Sequence, residues 1–260
     1  MTENRPKSTS EKSFKESQKT VFSFPDSTHL TKALAEFVLH AQTEAIHKKG
    51  KFTIAISGGS LAKQLGGLVG QSSARWDKWH VFFSDERIVP LDHEDSNYRL
   101  VHAEFTSKVP IPPQNIHHLD VALLDQIKAL GETPPNETAE ARETREEALD
   151  NLSDDVAAIY QDQLIQDLDW VAPIKDSPKP PKRRVTLTLK PVINRAARVV
   201  FVATGAAKQD ILKTVLDWNE ESSEAPLPAA RVRPTHGTLH WFVDDAASAK
   251  VNYTKTPFKL

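Results

Sequence analysis

The chain has 260 residues, of which 39% are hydrophobic, and this size predicts one α/β domain with a sizeable core. Because 33 Lys and Arg face 35 Asp and Glu, the balance of charge gives no general basis for binding nucleic acid or an anionic membrane surface, so any anion site must be local. The absence of cysteine excludes disulfides, thiolate catalysis and cysteine-bound metal.

Residues 1–19 are rich in Ser, Lys and Glu and contain no apolar run, so we expect a disordered polar tail rather than a secretory signal. No later run reaches the ~20 apolar residues of a membrane span. We therefore expect a cytoplasmic protein, a monomer or weak dimer, whose residues 20–260 form one domain. The charged, Pro-interrupted stretch at about 123–151 is expected to be an exposed insertion, part of it helical.

Short apolar strands alternate with helices in the first part of the chain. We predict strands at Val21–Phe24, Phe52–Ile56 and Trp79–Phe83. Asp26 or Ser27 can cap the helix between the first two strands, and Gly50 is suited to end it in the left-handed conformation.

The second predicted strand runs into Ser57-Gly58-Gly59-Ser60 and then into a helical pattern that reaches Leu68. A strand, two glycines and a helix N-terminus favour an anion site, because free N–H groups and the helix dipole then face the ligand. The Lys of a P-loop and the spacing of a dinucleotide fingerprint are both absent. A tight turn without a ligand remains the alternative.

The third strand leads directly into the charged run Ser84-Asp85-Glu86-Arg87. In a parallel α/β sheet, this position is the edge that faces the ligand. A solvated turn is the alternative interpretation. Ser96 or Asn97 can then cap a helix that extends to Phe105.

The second half continues the alternation with a helix over Val156–Leu168 and strands at Trp170–Ile174, Val185–Leu189, Arg198–Ala203 and Leu239–Val243. The stiff Pro-rich turn Ser177–Arg184 is either an anion clamp made of Lys182, Arg183 and Arg184 or a solvated basic loop. Gly205 and Lys208 open the helix that follows the strand ending at Ala203.

The alternation predicts an α/β fold with a mostly parallel, twisted sheet flanked by helices, Rossmann-like in organisation. The ten histidines show no metal-binding spacing, so we expect no metal site. No Gly-x-Ser-x-Gly elbow occurs, which argues against a serine hydrolase of that type.

Five sequence motifs, in the same order along the chain, resemble the 6-phosphogluconolactonase family. They are SGGS at Ser57–Ser60, SDER at Ser84–Arg87 with Ser96-Asn97, DSPKPPKRRVTLTL at Asp176–Leu189, TGAAK at Thr204–Lys208 and the LPAARV and LHWFVD segments near the end. The resemblance implies the fold shared with glucosamine-6-phosphate isomerase/deaminase. It also implies hydrolysis of 6-phosphogluconolactone to 6-phosphogluconate in the oxidative pentose phosphate pathway, with a small sugar phosphate as substrate and no metal or cofactor.

The resemblance also implies the site residues. Gly58, Gly59 and Ser60 would line the substrate loop, with Asn97 ordering the adjoining wall. Asp85 and Arg87 would sit beside the sugar ring as the catalytic pair. Arg184 and Lys208 would hold the phosphate, since two cations and helix N–H groups suit a dianion.

The chain departs from the family pattern after the helix at Val156–Leu168. There the family carries a buried strand that ends in a GPDGHxxSLF-type loop, whose His is the proposed general base. This sequence passes from Leu168 and Asp169 into Trp170. It has no Gly between Gly131 and Gly205, and no His between His118 and His236. One core strand and the catalytic His are therefore expected to be missing.

Three explanations remain open at this point: a gene-model or splicing error, a homologue that binds sugar phosphate without catalysis, or replacement of the base by another histidine such as His93. A sugar-phosphate isomerase/deaminase is a further alternative, although the Pro-rich run favours the lactonase branch. We predict little lactonase activity and reduced stability for the chain as written.

Overall fold

The computed structural model describes residues 19–164, 171–189, 193–219 and 225–260, so most of the predicted tail lies outside the described residues. The strands are β1 Lys19–Phe24, β2 Phe52–Ile56, β3 Trp79–Phe83, β4 Asp85–Arg87, β5 Val171–Ile174, β6 Arg184–Leu187, β7 Arg198–Ala203 and β8 Thr238–Asp244. The helices are α1 Ser27–Lys49, α2 Ser60–Gln64, α3 Asn97–Glu104, α4 Val121–Gly131, α5 Ala139–Leu164, α6 Gln209–Leu216 and α7 Asp245–Ser248.

Local sequence signals set the ends of the first helices. The Asp26 side chain accepts hydrogen bonds from the backbone N–H groups of Thr28 and His29 and so caps α1. Gly50 ends that helix in the left-handed region at φ 72°. Ser96, rather than Asn97, caps α3 by accepting a hydrogen bond from the backbone N–H of Arg99. Both predicted caps are therefore confirmed, with the choice between neighbours resolved.

The predicted mostly parallel α/β fold is confirmed, although the parallel strands form two separate sheets in the described residues. One sheet has the order β1-β8-β7 and the other pairs β2 with β3, all in parallel. Helix α1 packs on strands of both sheets, and one apolar cluster that includes Phe22, Ile56, Val81 and Phe242 joins them. The two sheets therefore share one core.

The outer edges of these sheets are covered. On β1, the backbone N–H of Thr256 donates to the carbonyl of Val21 at 2.8 Å, and on β3 that of His117 donates to the carbonyl of Val81 at 2.8 Å. Within the described residues, β2 and β7 each pair with a strand on one side only. Every residue of β7 is half-buried, which is shallow for an apolar core strand. A missing core strand would pair at these two free edges.

A third sheet is antiparallel, with the order β4-β6-β5, and it packs with α4 and α5 on a second apolar cluster. The stretch at 123–151, predicted to be an exposed insertion, contains most of α4 and the first half of α5. Its Leu124, Ile127 and Leu149 are buried in this cluster. Helix α5 starts at Ala139, well before the predicted start, while residues 165–170 lie outside the described ranges. In the α4 part, Leu124 and Ile127 follow helical spacing and could have indicated burial, whereas residues 132–148 contain no large apolar residue that could have done so.

In the part of the chain that the structure describes, no helix is both long enough and apolar enough to cross a membrane.

Candidate active site

The candidate site is built where β3 turns into β4. The backbone N–H of Ser84 still donates to the carbonyl of Ile56 at 3.0 Å, as part of the parallel sheet. The next three residues leave that sheet and pair antiparallel with β6, so that Asp85 lies opposite Thr186 and Arg87 lies opposite Arg184. Directly opposed residues project from the same face of a sheet. The turn therefore brings Asp85, Arg87 and Arg184 onto one face.

The pair Arg87 and Arg184 is electrostatically unusual, because like charges directly opposite each other destabilise a sheet. Arg87 donates from Nη1 to the carbonyl of Asp95 at 2.6 Å, and its buried Nε has no hydrogen-bond partner in the described residues. Arg184 donates to the carbonyls of Pro181 at 3.1 Å and Lys179 at 2.9 Å. Carbonyl oxygens orient these guanidinium groups without neutralising them, so the face is suited to an anion.

The two arginines of the Pro-rich turn, Arg183 and Arg184, have different hydrogen-bond partners. The turn's own carbonyls hold the Arg184 side chain, as a stiff turn was predicted to do. The neighbouring Arg183 instead donates to Glu146 at 2.7 Å and Asp150 at 2.9 Å on α5. Of the two alternatives left open for this turn, a clamp made of Lys182, Arg183 and Arg184 does not hold for Arg183, because the carboxylates of α5 already compensate its charge.

Asn97 connects the site to the glycine loop after β2. Its buried side chain donates from Nδ2 to the carbonyl of Asp85 at 2.9 Å. A Cβ atom on Gly58 would lie 1.9 Å from Asn97 Oδ1, so this contact requires glycine. Gly59 has φ 74°, and Ser60 is exposed at the start of α2. Because α2 has only five residues and continues as a short 3-10 turn, its dipole is weaker than the predicted helix would provide.

The second glycine loop lies at the end of β7. Gly205 has φ 86°, and its backbone N–H donates to Asp244 at 3.0 Å. Asp244 also caps α7 through the N–H of Ala247 at 2.7 Å. Lys208 is exposed at the end of a 3-10 turn that leads into α6, and no contact in the described residues joins it to Arg184. Helix α2 follows the first glycine loop and packs on α3 and on β7, and β7 leads into the second glycine loop.

Two carboxylates that organise the site were given no role in the sequence analysis. They are Asp244, which holds the Gly205 loop, and Glu86, which is buried behind the Asp85 to Arg87 face. Only the position of Glu86 inside the charged run could have indicated it. Asp244 reaches the backbone of Gly205 and Glu86 reaches the backbone of Asn97, and a linear pattern does not show such contacts.

The histidines of the described residues do not supply a metal site. His80 and His117 face each other, with Nδ1 and Nε2 at 3.2 Å, but no group of three potential ligands occurs in the described ranges. His93 is exposed in the loop after β4, where its Nδ1 accepts a hydrogen bond from the backbone of Asp95 at 3.1 Å.

Tyr160 of α5 fixes the end of β3 next to the site. Its hydroxyl accepts from the backbone N–H of Phe83 at 2.6 Å and donates to the carbonyl of the same residue at 3.1 Å. The Tyr160 hydroxyl thereby makes the hydrogen bonds to Phe83 that a neighbouring strand would otherwise make. Burial raises the pKa of Tyr160.

We expect Tyr160→Phe to lower the free energy of unfolding by about 1–3 kcal/mol, because two buried backbone groups then lose their partner. Urea denaturation monitored by tryptophan fluorescence measures this. Tyr98→Phe is the matched control, since the Tyr98 ring stacks on His102 at 5.6 Å and is retained as Phe. An equal loss in both variants would show that the Tyr160 hydroxyl has no special role.

Comparisons with known proteins agree on one family. A family model described as glucosamine-6-phosphate isomerases/6-phosphogluconolactonase matches residues 25–241. A probable 6-phosphogluconolactonase of Schizosaccharomyces pombe is 38% identical over 254 residues, covering 89% of this chain and 96% of the relative. The 6-phosphogluconolactonase of Rattus norvegicus is 36% identical over 242 residues, covering 88% of this chain and 91% of the relative. The crystal structure of 6-phosphogluconolactonase from Leishmania guyanensis has the same fold, with TM-score 0.69 at 21% identity, covering 91% of this chain and 100% of that one.

The same comparisons show that the relatives contain residues that this chain lacks. Since 89% of 260 residues is about 231, about 23 of the 254 positions aligned with the S. pombe relative face no residue of this chain. For the rat relative, 88% of 260 is about 229, which leaves about 13 of 242 positions unmatched. Inside the matched region, each of these relatives therefore has residues that face none in this chain.

Proposed function

The chain belongs to the glucosamine-6-phosphate isomerase/6-phosphogluconolactonase family, and from this membership we propose that it hydrolyses 6-phosphogluconolactone to 6-phosphogluconate. This reaction belongs to the oxidative pentose phosphate pathway. We further propose that the protein acts in the cytoplasm, as a monomer or weak dimer.

One observation supports the proposal more than any other, namely the opposed pair Arg87 and Arg184 on the face that also presents Asp85. Two guanidinium groups that are hydrogen-bonded to carbonyl oxygens retain their charge for a ligand. The substrate carries a phosphate dianion at one end and an electrophilic carbonyl at the other. An anion-binding face next to a carboxylate suits both ends.

The proposed roles follow from these positions. Arg184 binds the phosphate, with Lys208 approaching from the neighbouring strand end. Asp85 and Arg87 contact the sugar ring near the lactone carbonyl. The loop of Gly58, Gly59 and Ser60 closes the opposite side, and Asn97 fixes the distance between this loop and Asp85.

Hydrolysis adds the oxygen of water to the lactone carbonyl carbon, breaks the bond from that carbon to the ring oxygen, and delivers a proton to the ring oxygen. The step is fast only when a base removes a proton from the water and donors stabilise the oxyanion. Arg87 can stabilise the oxyanion. Because the sequence has no His between His118 and His236, we expect the 260-residue chain to bind its substrate normally and to hydrolyse it slowly.

Ligand-dependent melting tests the binding part of this proposal. At about 100 times Kd, 6-phosphogluconate should raise Tm by about 5–10 °C, because binding stabilises only the folded state. Gluconate, which lacks the phosphate, should produce no comparable shift. Equal shifts with both compounds, or no shift with either, would contradict the proposal. A stronger shift with glucosamine 6-phosphate would favour the isomerase branch instead.

A further inference from the structure

We infer that Glu86 is a positioning residue for the candidate site: its carboxylate joins β4 to the first turn of α3 and so holds Asp85, Arg87 and Asn97 in their binding geometry. This inference rests on the proposed sugar-phosphate site and adds to it a residue that does not itself touch the ligand.

The carboxylate of Glu86 accepts four hydrogen bonds. Its Oε1 receives the backbone N–H groups of Arg87 at 2.7 Å and Asn97 at 2.8 Å. Its Oε2 receives the backbone N–H of Tyr98 at 2.6 Å and the hydroxyl of Ser96 at 3.2 Å. An ionised carboxylate is an acceptor only, so this set of four donors matches the charged form.

The environment makes these contacts costly to lose. Glu86 is 1% exposed, and it faces the N-terminus of α3, where the helix dipole favours negative charge. Burial raises the pKa of Glu86, while the hydrogen bonds that the carboxylate accepts act in the opposite direction. Four hydrogen-bond donors surround the carboxylate, and replacing it by a group that cannot accept from them leaves several of them buried without a partner.

The contacts of Glu86 lead directly to the site. Asn97 is held at its backbone by Glu86, and its side chain reaches the carbonyl of Asp85 and the space above Gly58. The backbone N–H of Arg87 donates to the same carboxylate, and the Arg87 guanidinium donates to the carbonyl of Asp95. A shift of the carboxylate therefore moves the two walls of the site relative to each other.

A purely structural role as a helix cap does not account for these contacts. Helix α3 already has its own cap, because Ser96 Oγ accepts the N–H of Arg99 at 3.2 Å. Glu86 comes from a different element and adds a connection that the cap does not need. That connection runs between the two segments that carry the proposed ligand contacts.

Glu86→Gln tests the inference, because the amide has similar size but presents N–H groups to buried donors. We expect Kd for 6-phosphogluconate, measured by calorimetry well below Tm, to rise about tenfold or more. Backbone amide exchange at Arg87, Asn97 and Tyr98 should also accelerate by about tenfold or more. If this variant does not fold, Glu86→Asp, which keeps the charge but is shorter, is measured with the same expected direction.

Asp120→Ala is the control, since Asp120 caps α4 at the N–H of Leu123 at 3.0 Å and lies outside the proposed site. It should lower Tm and leave Kd unchanged. If Glu86→Gln also lowers Tm without changing Kd, Glu86 is a structural residue only and the inference is overturned. If the unmodified chain does not bind 6-phosphogluconate, the proposed function fails; unchanged exchange at the three amides would then separately reject the positioning role.

Discussion

Replacement of residues 165–170 by the longer segment that the resemblance implies for the family at this point of the chain is expected to raise the rate of lactone hydrolysis by about 10²–10⁴-fold, the usual contribution of a positioned general base. By the family resemblance, this segment carries the Gly-rich loop with the His. The S. pombe relative has about 23 aligned positions that face no residue of this chain. Hydrolysis of 6-phosphogluconolactone above its spontaneous rate is the measurement.

The fold supplies the reason for expecting this graft to be accepted. Strands β2 and β7 each have one free edge within the described residues, although both are apolar and uncharged along most of their length. Natural proteins cover or charge such edges because they pair with other chains. A parallel strand that pairs with both would join the two sheets, so the graft should also raise Tm.

The same segment with its histidine replaced by alanine is the control. It should restore Tm without restoring the rate, which separates repair of the sheet from supply of the base. Rapid hydrolysis by the unmodified 260-residue chain would contradict the prediction, because a base would then already be present. Binding of 6-phosphogluconate together with no turnover in either form would identify a homologue that only binds sugar phosphate.

The second large effect is expected at Arg184. Its replacement by alanine should raise Kd for 6-phosphogluconate by about 10–100-fold, since a hydrogen bond to a charged group contributes about 1.5–3 kcal/mol and each 1.4 kcal/mol is tenfold. The Arg184 side chain is bonded only to carbonyl oxygens in the described residues, so its loss leaves no carboxylate unpaired. Stability should therefore change little. Calorimetric titration measures the affinity.

Arg183→Ala is an unusually close control, because it removes the same charge from the adjacent residue. Arg183 is paired with Glu146 and Asp150 on α5, so its loss should lower the free energy of unfolding by about 1 kcal/mol and leave Kd unchanged. Similar losses of affinity in both variants would mean that only the general positive charge of the turn matters. Loss of affinity in Arg183→Ala alone would overturn the proposed phosphate contact.

Much of the architecture could be predicted because its signals are local. The strand at Trp79–Phe83 and the cap at Asp26 each depend on a few neighbouring residues, and both are present as predicted. The packing of the first half of α5 could not be predicted, because residues 132–148 contain no large apolar residue and Leu149 is buried in a cluster with distant segments such as β5 and β6. Helix α4 was missed although Leu124 and Ile127 follow helical spacing.

By itself, the sequence determined the alternation of strands and helices, the glycine loops at Gly58 and Gly205, and the charged run from Asp85 to Arg87 at the end of a strand, because these depend on residue type and short spacing. Only the tertiary structure decided that Arg184 lies opposite Arg87 while Arg183 turns to α5, and that Glu86 holds the start of α3. Adjacent residues of a strand point to opposite faces. Arg87 and Arg184 are brought together by strand pairing between segments nearly 100 residues apart, whereas Arg183 and Glu86 find their partners by packing against helices, and no local pattern specifies either.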